Sequence, residues 1–102
     1  MQLYQGTGTT GHIFQASNQT ITNLVLARGQ RLASHHVPYT VVVVPVRGRI
    51  QFTGADFDQE IYPGKVVRMQ PDEAHALYAL EDSELMVVKS ALVPAVKPAG
   101  LK

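Results

Sequence analysis

The sequence contains neither cysteine nor tryptophan among its 102 residues. The absence of cysteine excludes disulfides, thiolate metal ligands and a cysteine nucleophile. It is also typical of proteins from the reducing cytoplasm. The N-terminus, MQLYQGTGTTGH, lacks the charged and apolar segments of a secretory signal. We therefore expect a cytoplasmic protein.

Long apolar runs and a strong net charge are missing as well. The longest apolar run, Val41 to Val46, is far short of the ~20 residues that a membrane-spanning helix needs. The formal net charge is +1 at pH 7, too small for a general attraction to nucleic acid. We expect neither a membrane nor a nucleic acid as partner.

Short segments rich in β-branched and aliphatic residues fill most of the chain, separated by turns rich in Gly, Pro and Asp. No window has a helical period over more than about two turns. This spacing is typical of an all-β sandwich or barrel. We predict one domain over 1–102, with a core at about 12–92 and a loose tail at 93–102. The segments predicted as strands are 20–27, 39–46, 49–53, 56–61, 65–70, 75–80 and 84–90.

The valines at 41–44 show no apolar–polar alternation. A strand of this kind is covered on both faces, once by its own core and once by another surface. Asp56, Asp58 and Glu60 do alternate, and they predict one solvated strand face.

Charges are segregated along the chain. All eight acidic residues lie between Asp56 and Glu84, so a metal site in the first half would lack a carboxylate. The charged residues before Asp56 form either an anion-binding patch or a set of separate cations at strand ends. They are Arg28, Arg31, Arg47 and Arg49.

Three histidines are the main candidates for chemistry. His35 and His36 are adjacent ahead of the valine run, and His75 follows the turn PDEA. Adjacent residues of a strand point to opposite faces, so the pair shares one face only if a bulge intervenes. His12, near the N-terminus, is a further candidate ligand or else a surface residue.

From Gly29 to Leu80 the sequence resembles the cupin superfamily, which are small jelly-roll β-barrels. The first cupin motif is Gly, five residues, His-x-His, three or four residues, Glu, six residues and Gly. Here Gly29 precedes QRLAS and the histidine pair, and Gly48 closes the motif.

The second cupin motif is Gly, a strand, Pro, a short turn and His. Gly64, KVVRMQ, Pro71, DEA and His75 match it. Lys65 stands where Asp is usual, and Glu73 where Gly is usual. The resemblance implies an all-β cupin barrel. It also implies a C2 homodimer, because single-domain cupins resemble one another in forming homodimers.

The metal ligands that the resemblance implies are incomplete. Metal-binding cupins take two His and one Glu from the first motif and one His from the second. Counting back seven from Gly48 places Val41 at the Glu position. The two histidine positions are then Ser34 and His36, or His35 and Val37, depending on the loop length.

We predict that His36 faces the barrel near His75, and that His35 lies on the other face or at the rim. The candidate metal ligands are thus His36 and His75, with His35 as a candidate third. Two secure ligands would hold a divalent metal weakly and unselectively.

The resemblance and the residue pattern together leave two functions open. One is a binding module that holds a small organic ligand in the barrel, beside a partial histidine site for a divalent metal. The other is a metal-dependent oxygenase, isomerase or decarboxylase using Zn, Fe, Mn or Ni. Certain side chains are predicted either to line the ligand pocket or to close on one another as core. They are Tyr39, Val41, Phe52, Met69 and Leu77.

Overall fold

A computed structural model of the chain describes residues 1–92. Over this range the chain forms nine strands and no helix, as the sequence predicted for an all-β protein. The described residues accordingly include no helix of the length and apolarity needed to cross a membrane. The predicted loose tail at 93–102 lies outside the described residues. The strands are β1 (Gly11–Gln15), β2 (Gln19–Leu26), β3 (Arg31–His35), β4 (Thr40–Arg47), β5 (Ile50–Gly54), β6 (Phe57–Ile61), β7 (Val67–Met69), β8 (His75–Ala79) and β9 (Ser83–Ser90).

The strands form two sheets that face each other. One has five strands in the order β1-β2-β9-β4-β7, and the other has four in the order β3-β8-β5-β6. Every pairing is antiparallel. Consecutive strands such as β3 and β4 lie in different sheets, so the chain repeatedly crosses from one sheet to the other.

Two strands were not predicted from the sequence. β1 (GHIFQ) and β3 (RLASH) contain few aliphatic residues, so neither has a clear period-two pattern. Each forms because a neighbouring strand offers a backbone edge: β2 pairs with β1, and β8 pairs with β3. Strand propensity depends on such context more than helix propensity does.

The hydrophobic core fills the space between the sheets. Apolar side chains of both sheets are buried there, with Phe52 the largest among those that are almost fully buried. The core residues are Leu26, Val41, Val43, Ile50, Phe52, Ile61, Val67, Met69, Leu77, Ala79 and Leu85.

The valine run divides between the two faces of its sheet. Val41 and Val43 are 2% and 3% exposed and belong to the core. Val42 and Val44 point outward and are only half-buried. The second cover that the sequence predicted for this strand therefore does not come from the described part of the chain.

Gly48 closes the turn between β4 and β5 in a conformation that requires glycine. Its φ is +86°, and a Cβ at this position would lie 2.5 Å from the carbonyl oxygen of Asp82. Any other residue would meet both backbone strain and a steric clash. This explains why a glycine stands at the end of the first motif.

Three of the four arginines of the first half have separate side-chain partners. Arg31 stacks over the ring of Tyr78, and Arg47 pairs with the buried carboxylate of Glu84. Arg49 pairs with Glu60 on the solvated face of β6. This arrangement fits separate cations at strand ends rather than an anion-binding patch.

Candidate functional site

A β-bulge in β3 decides which histidine of the pair faces the barrel. Leu32 pairs with Leu77 and His35 pairs with His75, so two residues of β3 lie opposite one residue of β8. The extra residue shifts the alternation by one position. His35 thus takes the inward position that regular alternation from Leu32 would have given to Ser34.

The predicted orientation of the pair is wrong. The side chain of His36 is 65% exposed, and its Nδ1 lies 3.5 Å from Oδ1 of Asp72. His35, not His36, lies next to His75, with a distance of 4.2 Å between the ring centroids. Regular alternation along β3 would place His36 inward, but the bulge ahead of the pair places His35 there instead. Of the two motif registers, the structure adopts the one that places His35 and Val37 at the histidine positions.

His75 is the buried member of the site. It is 7% exposed, and the ring of Phe52 lies parallel to it with a centroid distance of 5.7 Å. Burial lowers the pKa of His75, the hydrogen bond to the carbonyl oxygen of Glu73 opposes this shift, and the charge of Lys89 lowers the pKa further. The lowered pKa favours the neutral ring at pH 7.

Both inward histidines are fixed by the backbone in the same tautomer. Nδ1 of His75 lies 3.0 Å from the carbonyl oxygen of Glu73, and Nδ1 of His35 lies 3.0 Å from that of Ala33. A carbonyl oxygen only accepts hydrogen bonds, so each Nδ1 carries a proton and donates it. In the neutral rings the lone pair is then on Nε2, which can accept a hydrogen bond or bind a metal.

The two histidines line a cavity of about 180 Å³ between the sheets. At about 30 Å³ for each water in the liquid, this is the space of about six water molecules. His35 is exposed at the mouth of this cavity, and the buried His75 lies deeper in it. Most of the wall is apolar, with polar groups from only a few residues. The lining residues are Thr22, Leu24, Leu32, His35, Val37, Val41, Val43, His75, Leu77, Val87 and Lys89.

The residues predicted to line the ligand pocket are distributed over three places. Val41 and Leu77 line the cavity with both histidines. Phe52 and Met69 line a second cavity of about 460 Å³, which also has His75 in its wall. Tyr39 lies outside the barrel and is 41% exposed. The prediction for Tyr39 is wrong because β4 begins only at Thr40, so Tyr39 does not share the alternation of Val41 and Val43.

The donor set does not fit a tightly held metal ion. Val37 and Val41 line the cavity at positions where metal-binding cupins have a histidine and a glutamate. His12 is bonded to Thr22 instead, with 2.8 Å between Nδ1 and Oγ1. Nowhere in residues 1–92 do three His, Cys, Asp or Glu side chains come together as a metal site would require. Stable zinc sites have at least three protein ligands.

Lys89 is the site residue that sequence reasoning missed. In β9 it follows Leu85 and Val87 at the period of two, and those residues point into the barrel. The segment was predicted as a strand, but no role was assigned to its single lysine. Counting forward by twos from Leu85, through Val87, would have placed Lys89 on the inward face.

Comparisons with known proteins identify the fold. No protein-family profile matches the sequence, and no curated protein sequence matches it. Among solved structures, a cupin superfamily protein from Desulfitobacterium hafniense has a TM-score of 0.76 at 12% identity, covering 88% of this chain and 83% of its own. An RmlC-like cupin family protein with a double-stranded β-helix fold, from Methanocaldococcus jannaschii, has a TM-score of 0.72 at 18% identity, covering 87% and 86%.

The DMSP lyase DddQ from Ruegeria pomeroyi is also similar, with a TM-score of 0.70 at 13% identity. The match covers 78% of this chain and 42% of the lyase. At these identities the likeness concerns the fold. The chain has the double-stranded β-helix of a small cupin, and the fold predicted from the motifs is confirmed.

Proposed function

We propose that the protein binds a small organic molecule in the cavity lined by His35 and His75. The observation that carries the proposal is the composition of this cavity. Apolar side chains from both sheets form most of its wall, and the polar groups come from only four residues, Thr22, His35, His75 and Lys89. Ligand sites usually combine a mostly hydrophobic wall with a few placed polar groups. The volume suits a molecule of only a few carbons.

Binding can be followed by NMR of the valine and leucine methyl groups. We expect at least one member of a set of five-carbon acids, amides and alcohols to shift the methyl signals of Val43, Leu77 and Val87 at millimolar concentration. Val87→Phe should abolish these shifts by filling the cavity, whereas Val66→Phe, at an exposed position, should preserve them. If no member of the set moves the cavity methyls, the proposal is wrong.

A metal-dependent enzyme is the second candidate. Its support is the pair of neighbouring imidazoles, which carbonyl oxygens hold with Nε2 free to coordinate. A similar fold carries a lyase. Elemental analysis after dialysis against a chelator separates the two candidates. A retained full equivalent of metal would favour the enzyme, and a metal-free protein would favour the binding module.

We also propose that the protein is a homodimer that pairs the outer face of the five-stranded sheet. Cross-strand register places apolar side chains side by side on this face: Ile21, Val88 and Val42 in one row, and Met86 and Val44 in the next. All are half-buried within the single chain. A contiguous apolar surface of this kind is typical of an interface.

Light scattering should give about twice the chain mass of 11.1 kDa. Val44→Lys should produce the monomer, because it places a charge in the apolar row, whereas Gln51→Lys, in β5 of the four-stranded sheet, should leave the dimer intact. A wild-type protein that is monomeric at micromolar concentration would contradict the proposal.

A further inference from the structure

Lys89 lies on the cavity wall in the sheet opposite the histidines, and its positive charge is near enough to His75 to lower the pKa of that ring. Its backbone pairs with Val41 on one side and Thr20 on the other, in the middle of the five-stranded sheet. Its side chain lines the cavity together with His35 and His75. The aliphatic stem of a lysine can pack against apolar wall residues while its ammonium group keeps a polar partner.

No carboxylate of the described chain balances this charge. The cavity lining contains no Asp or Glu. Within residues 1–92, Lys89 takes part in no ion pair. The nearby acidic residues Asp72 and Glu73 line the second cavity instead. A cation without an acidic neighbour in a mostly apolar cavity favours an anionic ligand.

His75 imposes a second requirement on the ligand, which concerns hydrogen bonding and not charge. Since Nδ1 of His75 donates its proton to the carbonyl oxygen of Glu73, Nε2 of this tautomer carries the lone pair and accepts. A carboxylate oxygen would meet this lone pair unfavourably, whereas a hydroxyl group can donate a hydrogen bond to it. The ligand therefore needs an anionic group for Lys89 and a hydroxyl donor for the imidazole.

From these two requirements we propose that the cavity binds a small hydroxycarboxylate, with its carboxylate on Lys89, its hydroxyl group donating to His75 and its aliphatic part against Leu77 and Val87. This inference rests on the proposed function, because it names the class of molecule that the same cavity would take. It assigns to Lys89 the charge that a metal ion would otherwise supply.

Three probes of one size separate the two requirements. 2-Hydroxyisovalerate carries both groups, isovalerate lacks the hydroxyl, and 2-hydroxyisovaleramide lacks the charge. Titrations followed by the methyl signals, in buffer with a chelator, should give the tightest binding for 2-hydroxyisovalerate. Loss of either group should weaken binding by about ten- to a hundredfold, as expected for hydrogen bonds that involve a charged or buried partner.

The variant Lys89→Met keeps the apolar stem and removes the charge. It should abolish the preference for the acid over the amide, while Lys65→Met, at an exposed lysine stacked on Tyr62, should preserve it. Equal binding of acid and amide to the wild type would overturn this inference and leave the proposed function standing. The inference would also be overturned if 2-hydroxyisovalerate bound only in the absence of the chelator. Its carboxylate would then bind a metal ion instead of Lys89. If none of the three probes shifts the cavity methyls, the inference and the proposed function both fail.

Discussion

Replacing Phe52 with alanine should lower the free energy of unfolding by about 3–5 kcal/mol, the usual range for removing a buried aromatic ring. Phe52 is 2% exposed and is the largest of the almost fully buried side chains. It lies parallel to His75 on one side and edge-on to Phe57 on the other, with centroid distances of 5.7 and 5.9 Å. Its removal would leave a cavity in the core beside the site.

Phe57→Ala is the matched control, since the same change at a 40% exposed position removes less buried surface and should have a much smaller effect. Urea denaturation followed by circular dichroism measures both variants without requiring a tryptophan. A loss for Phe52→Ala no larger than that for Phe57→Ala would contradict the description of the core around His75.

The double variant Val37→His/Val41→Glu should gain a divalent metal site. In the observed register, His35 and Val37 occupy the two histidine positions of the first motif, and Val41 occupies the glutamate position. Both valines line the cavity with His35 and His75. The change replaces a two-ligand set with three imidazoles and one carboxylate, so Ni²⁺ or Zn²⁺ should bind on the order of 100-fold more tightly than to the wild type.

Further substitutions in the double variant test the histidine register. His35→Ala should remove most of the gained affinity, while His36→Ala should leave it intact, because His36 points to Asp72 and solvent. Calorimetric titration with Ni²⁺ measures each affinity. The opposite result, with His36 essential and His35 dispensable, would mean that the bulge in β3 is misplaced.

The fold was predictable from the sequence because its signals are local. Short strands, turn glycines and the second motif around Pro71 and His75 each depend on a few neighbouring residues. Gly48 illustrates this, since a motif glycine corresponds to a backbone with φ of +86°. These local signals were enough to predict the all-β class and the presence of His75 in the site.

The arrangement of the site was not fully predictable, for an equally physical reason. Which of two adjacent histidines faces inward depends on a single inserted residue in β3, and nothing in RLASHH marks the bulge. Lys89 was missed because its role depends on the sheet opposite, which brings His35 and His75 towards it. Both features arise from pairing between distant segments of the chain.

A crystal structure of the protein grown with saturating 2-hydroxyisovalerate tests the central claim most directly. We expect density for the acid in the cavity lined by Leu77 and Val87, with its carboxylate within hydrogen-bonding distance of Nζ of Lys89 and its hydroxyl group at Nε2 of His75. An acid-free cavity, or a metal ion bound between His35 and His75 with the acid as its ligand, would contradict the account.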